Sequence, residues 1–432
     1  MKKAMIYGLG ISGTGAKELL EKEGYEIIIV DDKKAMTSEE ALNHLDGIEF
    51  FIKSPGIPYN NFVKEVQKRG IKILDEIEIA YNYMIEKGMK TKIIAITGTN
   101  GKSTTTAKIS DMLNYAGYKA AYAGNIGRSL SEVLLKEKDL DFISLELSSF
   151  QLENIENFKP YISMIINMGP DHIERYKSFD EYYDTKFNIT KNQTEDLYFI
   201  ENIDDVEIEK RAKQIKAKRI SVSKFKKADI FVKNDKICHG ENSIIDVDKL
   251  SLKGIHNLEN TLFMIATAEI LKIDREKLKE FLMIATPLEH RTELFFNYGK
   301  VKFINDSKAT NVDSTKFAIQ ANKNSILICG GYDKGVDLAP LAEMIKKNIK
   351  EVYLIGVIAD KIEKELKKIG YEDNKIHKLV NLENSLQDMK KRFTKESNEV
   401  ILLSPATSSY DQFNSFEHRG KVFKELVLKI FG

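Results

Sequence analysis

Short apolar runs recur along the chain, each closed by glycine or small polar residues and followed by a stretch in which apolar positions return every three to four residues. Runs of the first kind read as buried parallel strands, and the stretches between them as amphipathic helices covering a sheet. Residues 4–7 feed the turn Gly8-Leu9-Gly10-Ile11-Ser12-Gly13, a helix to about Glu23 follows, and a second strand over 26–30 ends on Asp31-Asp32. Strand-like residues 49–52 lead into Ser54-Pro55-Gly56-Ile57-Pro58. The run Ile93-Ile94-Ala95-Ile96 meets Thr97-Gly98-Thr99-Asn100-Gly101-Lys102-Ser103-Thr104 and a helix over 104–116. Strands over 118–122, 141–145 and 162–166 come next, and a fresh series begins at Val301, Ile326, Val352 and Val400. The alternation predicts parallel sheets flanked by helices, with ligands at the C-terminal ends of the strands.

With 432 residues the chain exceeds what one hydrophobic core serves. The polar segment 86–92 and the stretch Pro287-Leu288-Glu289-His290-Arg291 mark the expected boundaries, giving domains over 1–90, 91–286 and 287–432. A net charge of +1 gives no general attraction to nucleic acid or to an anionic membrane, and the basic run 210–227 reads as a solvated helix face and loop. Cys329, in Ile326-Leu327-Ile328-Cys329, reads as a buried reduced thiol, and Cys238 is the other cysteine of the chain, so a reducing compartment is expected. Met1-Lys2-Lys3 runs directly into a strand with no signal-peptide apolar region, and no apolar stretch is long enough to span a bilayer. A cytoplasmic protein is the expectation.

The stretch 93–104 carries the clearest chemistry. Glycines let backbone N–H groups approach oxygens, a helix N-terminus adds partial positive charge, Lys102 supplies a full one, and the Ser103 hydroxyl can ligate Mg²⁺. ATP or GTP is the expected ligand, although Thr99 and Asn100 alone separate Gly98 from Gly101, where the general motif has four residues. The first glycine turn is a weak signal by itself, but an acid after the second strand stands where a ribose or base contact is expected. The Ser54 turn reads either as a rigid loop or as a wall of that ligand site. The fold class is therefore α/β with three domains: an N-terminal Rossmann-like domain, a central P-loop ATPase-type parallel sheet and a C-terminal Rossmann-like domain.

Glu146 follows an apolar strand and is a candidate Mg²⁺ ligand beside Ser103; its other reading is a capping or pairing acid. His172, in Asn167-Met168-Gly169-Pro170-Asp171-His172, reads as a metal ligand, a base or a turn histidine, and all three stay open. Lys186 reads from composition as an ordinary helix lysine. Three polar clusters, Asn305-Asp306-Ser307-Lys308-Ala309-Thr310-Asn311, Gly330-Gly331-Tyr332-Asp333-Lys334-Gly335 and Ser404-Pro405-Ala406-Thr407-Ser408-Ser409-Tyr410-Asp411, each follow a strand. Together they suit a small anionic ligand.

These motifs, with Leu145-Glu146-Leu147-Ser148-Ser149-Phe150-Gln151, Asp171-His172, His256-Asn257, Glu289-His290-Arg291 and Leu403-Ser404-Pro405-Ala406, resemble the ATP-dependent Mur ligases of peptidoglycan precursor synthesis along essentially the whole chain. The likeness is to the members that add D-glutamate. It implies that the carboxylate of UDP-N-acetylmuramoyl-L-alanine attacks the γ-phosphate of ATP to give an acyl phosphate, from which the D-glutamate amine displaces phosphate. It further implies that Gly98, Thr99, Asn100, Gly101, Lys102, Ser103 and Thr104 hold the phosphates. Ser103, Glu146, His172 and a carbamylated Lys186 would hold two Mg²⁺ ions, with Lys102, Glu146, His172 and Lys186 catalytic. Asn257 and Asp306 resemble the adenine and ribose contacts, with Arg291 near the phosphates and His290 at the nucleotide edge. Lys308, Thr310, Lys334, Ser409 and Phe416 resemble the D-glutamate pocket, and Gly10, Ser12, Gly13, Asp31, Asp32, Ser54 and Asn125 the UDP-sugar contacts. A monomer is expected, with no nucleic-acid or membrane partner. Thr407 departs from the cysteine common at its position, and Met168-Gly169 from the usual pair before Pro170.

A nicotinamide-dependent oxidoreductase would use the first glycine turn but leave Lys102 idle. A nucleotide switch would need a guanine-reading Asn-Lys-x-Asp, which the chain lacks. Sister ligases for L-alanine, a diamino acid or D-Ala-D-Ala, and folylpolyglutamate synthetase, compete more closely; the diamino-acid signature Asp-Asn-Pro-Arg is missing.

Overall fold

In the computed structural model, which describes residues 2–169, 175–333 and 335–432, the described strands form three sheets. The first holds β1 (Lys3–Tyr7), β2 (Glu26–Val30), β3 (Ile48–Lys53) and β4 (Lys72–Leu74) in the order β2-β1-β3-β4, all parallel. The order reverses at β1 and β3, so the turns after them, at Gly8 and Ser54, lie side by side at a switch point where ligands of such sheets bind.

The second sheet holds β5 (Lys92–Thr97), β6 (Ala120–Gly124), β7 (Phe142–Glu146), β8 (Ile162–Ile165), β9 (Tyr198–Asn202), β10 (Lys218–Ser223), β11 (Ile230–Lys233), β12 (Lys236–His239) and β13 (Asn242–Asp246). Its order is β13-β12-β11-β10-β9-β8-β5-β7-β6. The sheet is parallel from β6 across to β11, as expected, and gains an antiparallel edge in β12 and β13. Lys233 pairs with Lys236 across Asn234-Asp235, whose φ values of 50° and 56° belong to the tight hairpin turn that matches strand twist. The basic run also differs from its reading as helix face and loop, since β10 passes through it. Its first residues are exposed, and Val222 and Ser223 are the buried ones.

The third sheet holds β14 (Glu293–Tyr298), β15 (Val301–Asn305), β16 (Ser325–Gly330), β17 (Ile349–Ile355), β18 (Ile376–Val380) and β19 (Val400–Leu403), ordered β14-β15-β19-β16-β17-β18. Only the β14–β15 hairpin is antiparallel among these described pairs, so the ends of β15, β16 and β19 share one edge. Cys329 on β16 is free and buried, and burial pushes its thiol up to about 12.

The chain divides into two compact units, Met1–Thr286 with the first two sheets and Pro287–Gly432 with the third. Within the first unit the two sheets share one core through the helix Glu76–Glu86, whose Ile77, Ile79, Ala80, Tyr81, Tyr83 and Met84 are all buried. Acids at the start of this helix cap backbone of the second sheet's loops. Asp75 accepts from Asn154 N and Nδ2, Glu76 accepts from Ser131 N, and Glu78 accepts from the N–H groups of Glu156, Asn157 and Phe158. Burial raises Asp75 to about 6 and Glu76 to about 7.

Glu78 is fully buried and satisfies three donors that would otherwise face apolar surroundings. Glu78→Ala is therefore expected to lower the unfolding free energy of the first unit by about 3 kcal/mol, with Glu78→Gln costing less because one acceptor oxygen remains. Urea denaturation followed by circular dichroism measures both; equal stability of Glu78→Ala and wild type would contradict this role.

Candidate functional site

β5 lies between β7 and β8 and delivers the chain to Gly98, with φ 146°, and Gly101, with φ 82°, before the helix Lys102–Ala116 begins. A Cβ at position 101 would stand 2.3 Å from Asn260 Oδ1, so a side chain there would displace Asn260 as well as strain a backbone of positive φ. The N-cap of the helix that follows is Gly101, which has no side chain to cap it, as suits a terminus that binds an anion. The loop is strapped to the segment after β8: Thr99 N donates to Asn167 O at 2.9 Å, Asn100 N to Asn167 Oδ1 at 2.8 Å, and Gly169 N to Thr99 Oγ1 at 2.9 Å.

Two ammonium groups converge on this loop. Lys102 Nζ donates to Gly98 O and Thr99 O, each at 2.9 Å, and Lys186 Nζ donates to Gly98 O at 3.0 Å. The reading of Lys186 as an ordinary helix lysine is thereby corrected: it is 2 % exposed and sits 4.6 Å from the centre of the Tyr182 ring, one turn earlier in the helix Phe179–Phe187. Two ammonium groups gathered at one loop favour an anionic ligand.

Glu146 ends β7, level with Ile96 of β5, and is 1 % exposed. Its Oε1 accepts from Asn125 Nδ2 at 2.9 Å, while its Oε2 is buried with no hydrogen-bond partner among the described residues. A buried carboxylate oxygen left without a donor is costly, and a hard divalent cation is the ligand that relieves it. The oxygen donors Ser103, itself buried, and Glu146 therefore fit Mg²⁺. His172 lies outside the described residues, as does Asp171.

At the first sheet Ser54 Oγ donates to Gly8 O at 2.7 Å, and a Cβ on Gly13 would lie 1.9 Å from that same carbonyl. Asp31 accepts from the N–H groups of Leu9 and Lys33, and Asp32 from Tyr7 OH and Ser38 N; these bonds hold both carboxyls below their ordinary range. As placed, the two acids shape the turn, while Gly10 caps the helix Ile11–Lys22 and Ser12 is half-buried on its first turn. The Ser54 turn is tied to the second sheet. Arg175 Nη1 donates to Pro55 O at 2.8 Å, its Nε and Nη2 grip Glu153 at 2.9 and 2.8 Å, and its guanidinium lies 4.1 Å from the Phe150 ring centre. Lys53, fully buried, joins Glu153 at 3.1 Å. Asn125, expected as a substrate contact, is on the opposite side of Glu146's bond and so links the two expected roles.

Asn257 is half-buried and donates to Lys253 O, whereas Asn260, one turn later on the helix Ile255–Leu271, is the residue against Gly101. Sequence reasoning passed over Asn260, Glu259 and Asn167. The signal was there in His256-Asn257-x-x-Asn260, whose spacing puts two amides on one helix face.

In the second unit, His290 and Thr292 have φ of 64° and 45°, and the bend brings Thr292 N to Asp306 Oδ1 at 3.0 Å. Ser404 Oγ donates to Asp306 Oδ2 at 2.7 Å, and burial raises this carboxyl to about 6. Asn305 Nδ2 donates to His290 Nδ1 at 2.8 Å, so the ring proton sits on Nε2; burial holds the imidazole below its ordinary value. Arg291 follows in the same bend, and its charge pulls against the rise at Asp306. Arg419, 1 % exposed, was not singled out from sequence. It donates to Ser307 Oγ and O and to Thr407 O, clamping the loops after β15 and β19, and burial lowers it to about 10. Lys308 Nζ lies 5.3 Å from the Phe416 ring centre, Thr310 is half-buried and Ser409 is buried. Thr407 Oγ1 donates to Tyr332 O, so its hydroxyl serves loop packing. Lys334 lies outside the described residues. Glu289, His290 and Glu293 also cluster, but Lys424 already pairs with both carboxylates.

The Mur ligase middle domain family matches residues 96–268. A UDP-N-acetylmuramoylalanine–D-glutamate ligase of Fusobacterium nucleatum subsp. nucleatum is 94% identical over 432 residues, covering 100% of both chains. A ligase of the same name from Natranaerobius thermophilus is 36% identical over 459 aligned positions, covering 100% of this chain and 98% of the relative. In fold, the chain is similar to the crystal structure of UDP-N-acetylmuramate–alanine ligase from Thermotoga maritima, with a TM-score of 0.63, 18% identity and 99% of each chain covered.

The buried oxygen of Glu146 yields a direct test. Mg²⁺ is expected to raise the melting temperature of the wild type and to leave Glu146→Gln unmoved, since the amide removes the charge that needs a cation. An equal Mg²⁺-induced rise in both proteins would contradict the assignment.

Proposed function

The chain belongs to the Mur ligase family, and on that premise we propose that it joins D-glutamate to UDP-N-acetylmuramoyl-L-alanine at the expense of ATP, in cytoplasmic peptidoglycan precursor synthesis. The observation that carries the reading is the full-length 94% identity to a relative bearing that name, joined to a loop whose chemistry suits phosphate. No helix of the described residues is long and apolar enough to cross a membrane.

The substrate carboxylate is a poor electrophile, and its attack on the γ-phosphate brings two anions together. Catalysis is then mostly positioning and neutralisation. Gly98 to Thr104 cradle the phosphates, with Lys102 leaving the carbonyls of Gly98 and Thr99 for the β- and γ-phosphate oxygens. Ser103 and Glu146 hold Mg²⁺, with His172 and Lys186 at a second ion. Bound there, Mg²⁺ screens the charge of the transferring phosphoryl group. Asn257, Asp306, Arg291 and His290 serve the nucleotide. Lys308, Thr310, Lys334, Ser409 and Phe416 hold D-glutamate so that its neutral amine attacks the acyl carbon and phosphate leaves. Gly10, Ser12, Gly13, Asp31, Asp32, Ser54 and Asn125 form the nucleotide-sugar grip, Asp31 and Asp32 by fixing the turn. Residues 1–90, 91–286 and 287–432 act as sugar-nucleotide, ATP and amino-acid domains.

Lys186 acts as a carbamate: CO₂ adds to its neutral amine with loss of a proton, and a buried cation becomes an anion beside the metals. Lys186 is 2 % exposed, so a carbamate formed there would be shielded from water. Lys186→Ala is expected to lose activity and to regain part of it with short-chain carboxylic acids such as acetate; loss with no rescue would refute the carbamate.

Phosphate release measured with UDP-N-acetylmuramoyl-L-alanine and either enantiomer of glutamate tests the whole reading. D-glutamate is expected to support turnover at least about a hundredfold faster than L-glutamate, and Lys102→Ala to fall below about a hundredth of wild type. Equal rates with the two enantiomers would defeat the pocket assignment, and a Lys102→Ala rate within threefold of wild type would defeat the cradle.

A further inference from the structure

Asn167 carries an amide that must present its two ends in one orientation. Its Oδ1 accepts from Asn100 N at 2.8 Å, inside the cradle, and its Nδ2 donates to Glu259 Oε1 at 3.0 Å. Glu259 is 8 % exposed and lies on the helix Ile255–Leu271, next to the Asn260 that abuts Gly101. The same oxygen accepts from Asn202 Nδ2 at 3.3 Å, and Oε2 pairs with Lys224 Nζ. Asn202 Nδ2 also donates to Ile166 O at 2.9 Å, at the start of the segment that straps the cradle.

An ionised carboxylate can only accept, so it refuses the carbonyl end of the amide facing it. We propose that Glu259 is a positioning residue of the cradle: held by Lys224 and Asn202, it fixes the Asn167 amide so that Oδ1 anchors Asn100 N and the following N–H groups keep their aim. The inference rests on the loop binding ATP phosphates. Without the acid at 259, Asn167 is free to turn over, its Nδ2 would then oppose Asn100 N, and two donors would face each other. The loop would lose its anchor while Lys102, Ser103 and Glu146 stay in place. The effect therefore falls on nucleotide affinity and leaves the chemical step largely alone.

The test exchanges acid and amide. Asn167→Asp keeps an acceptor for Asn100 N but sets two carboxylates against each other; adding Glu259→Gln restores a donor opposite that acceptor. Binding of a fluorescent N-methylanthraniloyl ATP, together with KM for ATP and kcat, is measured for wild type, Glu259→Ala, Asn167→Asp and the double variant. Melting temperatures verify folding. Glu259→Ala and Asn167→Asp are each expected to weaken nucleotide binding and raise KM about tenfold, with kcat at saturating ATP within about threefold of wild type. The double variant is expected to return to within about threefold of wild type. Unchanged affinity in Glu259→Ala, or a double variant no tighter than Asn167→Asp, overturns the inference while the cradle stands. Failure of wild type itself to bind the analogue overturns the cradle reading, and the inference with it.

Discussion

The carbonyl of Gly98 accepts from two lysines, Lys102 and Lys186, and on the neighbouring strand Glu146 keeps a buried oxygen without a donor among the described residues. Such an arrangement is expensive in a folded chain. Burial costs a charged group such as the Glu146 carboxylate several kcal/mol in general, and native structures tolerate it where a ligand supplies a counter-charge. Everything around the loop serves to hold that arrangement: the bare Cα of Gly101 against Asn260, the straps from Asn167 and Gly169, and the register that sets Glu146 level with Ile96. A nucleotide triphosphate with Mg²⁺ would bring oxygens for Lys102 and a cation for Glu146 together.

The first two sheets are welded by polar groups as well as by a shared core. Asp75, Glu76 and Glu78 cap backbone N–H groups of the second sheet, and Arg175 and Lys53 meet at Glu153 while Arg175 also holds Pro55. The turn beside Gly8 and the strand that ends at Glu146 thus belong to one compact unit. A nucleotide-sugar seated at that turn would be held rigidly with respect to Glu146, which is the condition for an in-line attack. In the second unit Arg419 has a comparable task, tying Ser307 and Thr407 so that the loops after β15 and β19 keep one geometry.

What could be read from sequence follows from the range of the forces involved. Strand, glycine turn and helix N-terminus are local, so the cradle and the first βαβ unit were legible. Local signals also point to the Asn234-Asp235 hairpin, which went unread because its strands are short. Lys186 looks like any helix lysine because its burial depends on Tyr182 packing and on Gly98, 88 residues away. Asp31 and Asp32 were found by position, but their bonds to Leu9 N and Tyr7 OH, at the end of β1, were not legible because those partners lie on another strand end and its turn. Asn260 left a trace in its spacing from Asn257, but what it and Glu259 do was not legible, because it lies in Gly101 and Asn167, far away in the chain.

The acyl phosphate is the chemical centre of this account, and isotope transfer reads it most directly. UDP-N-acetylmuramoyl-L-alanine labelled with ¹⁸O in its terminal carboxylate is turned over with ATP and D-glutamate, and the inorganic phosphate is examined by ³¹P NMR or mass spectrometry. One ¹⁸O per phosphate released is the expected result, because the attacking carboxylate oxygen leaves with the phosphoryl group. Amide product accompanied by unlabelled phosphate would contradict it.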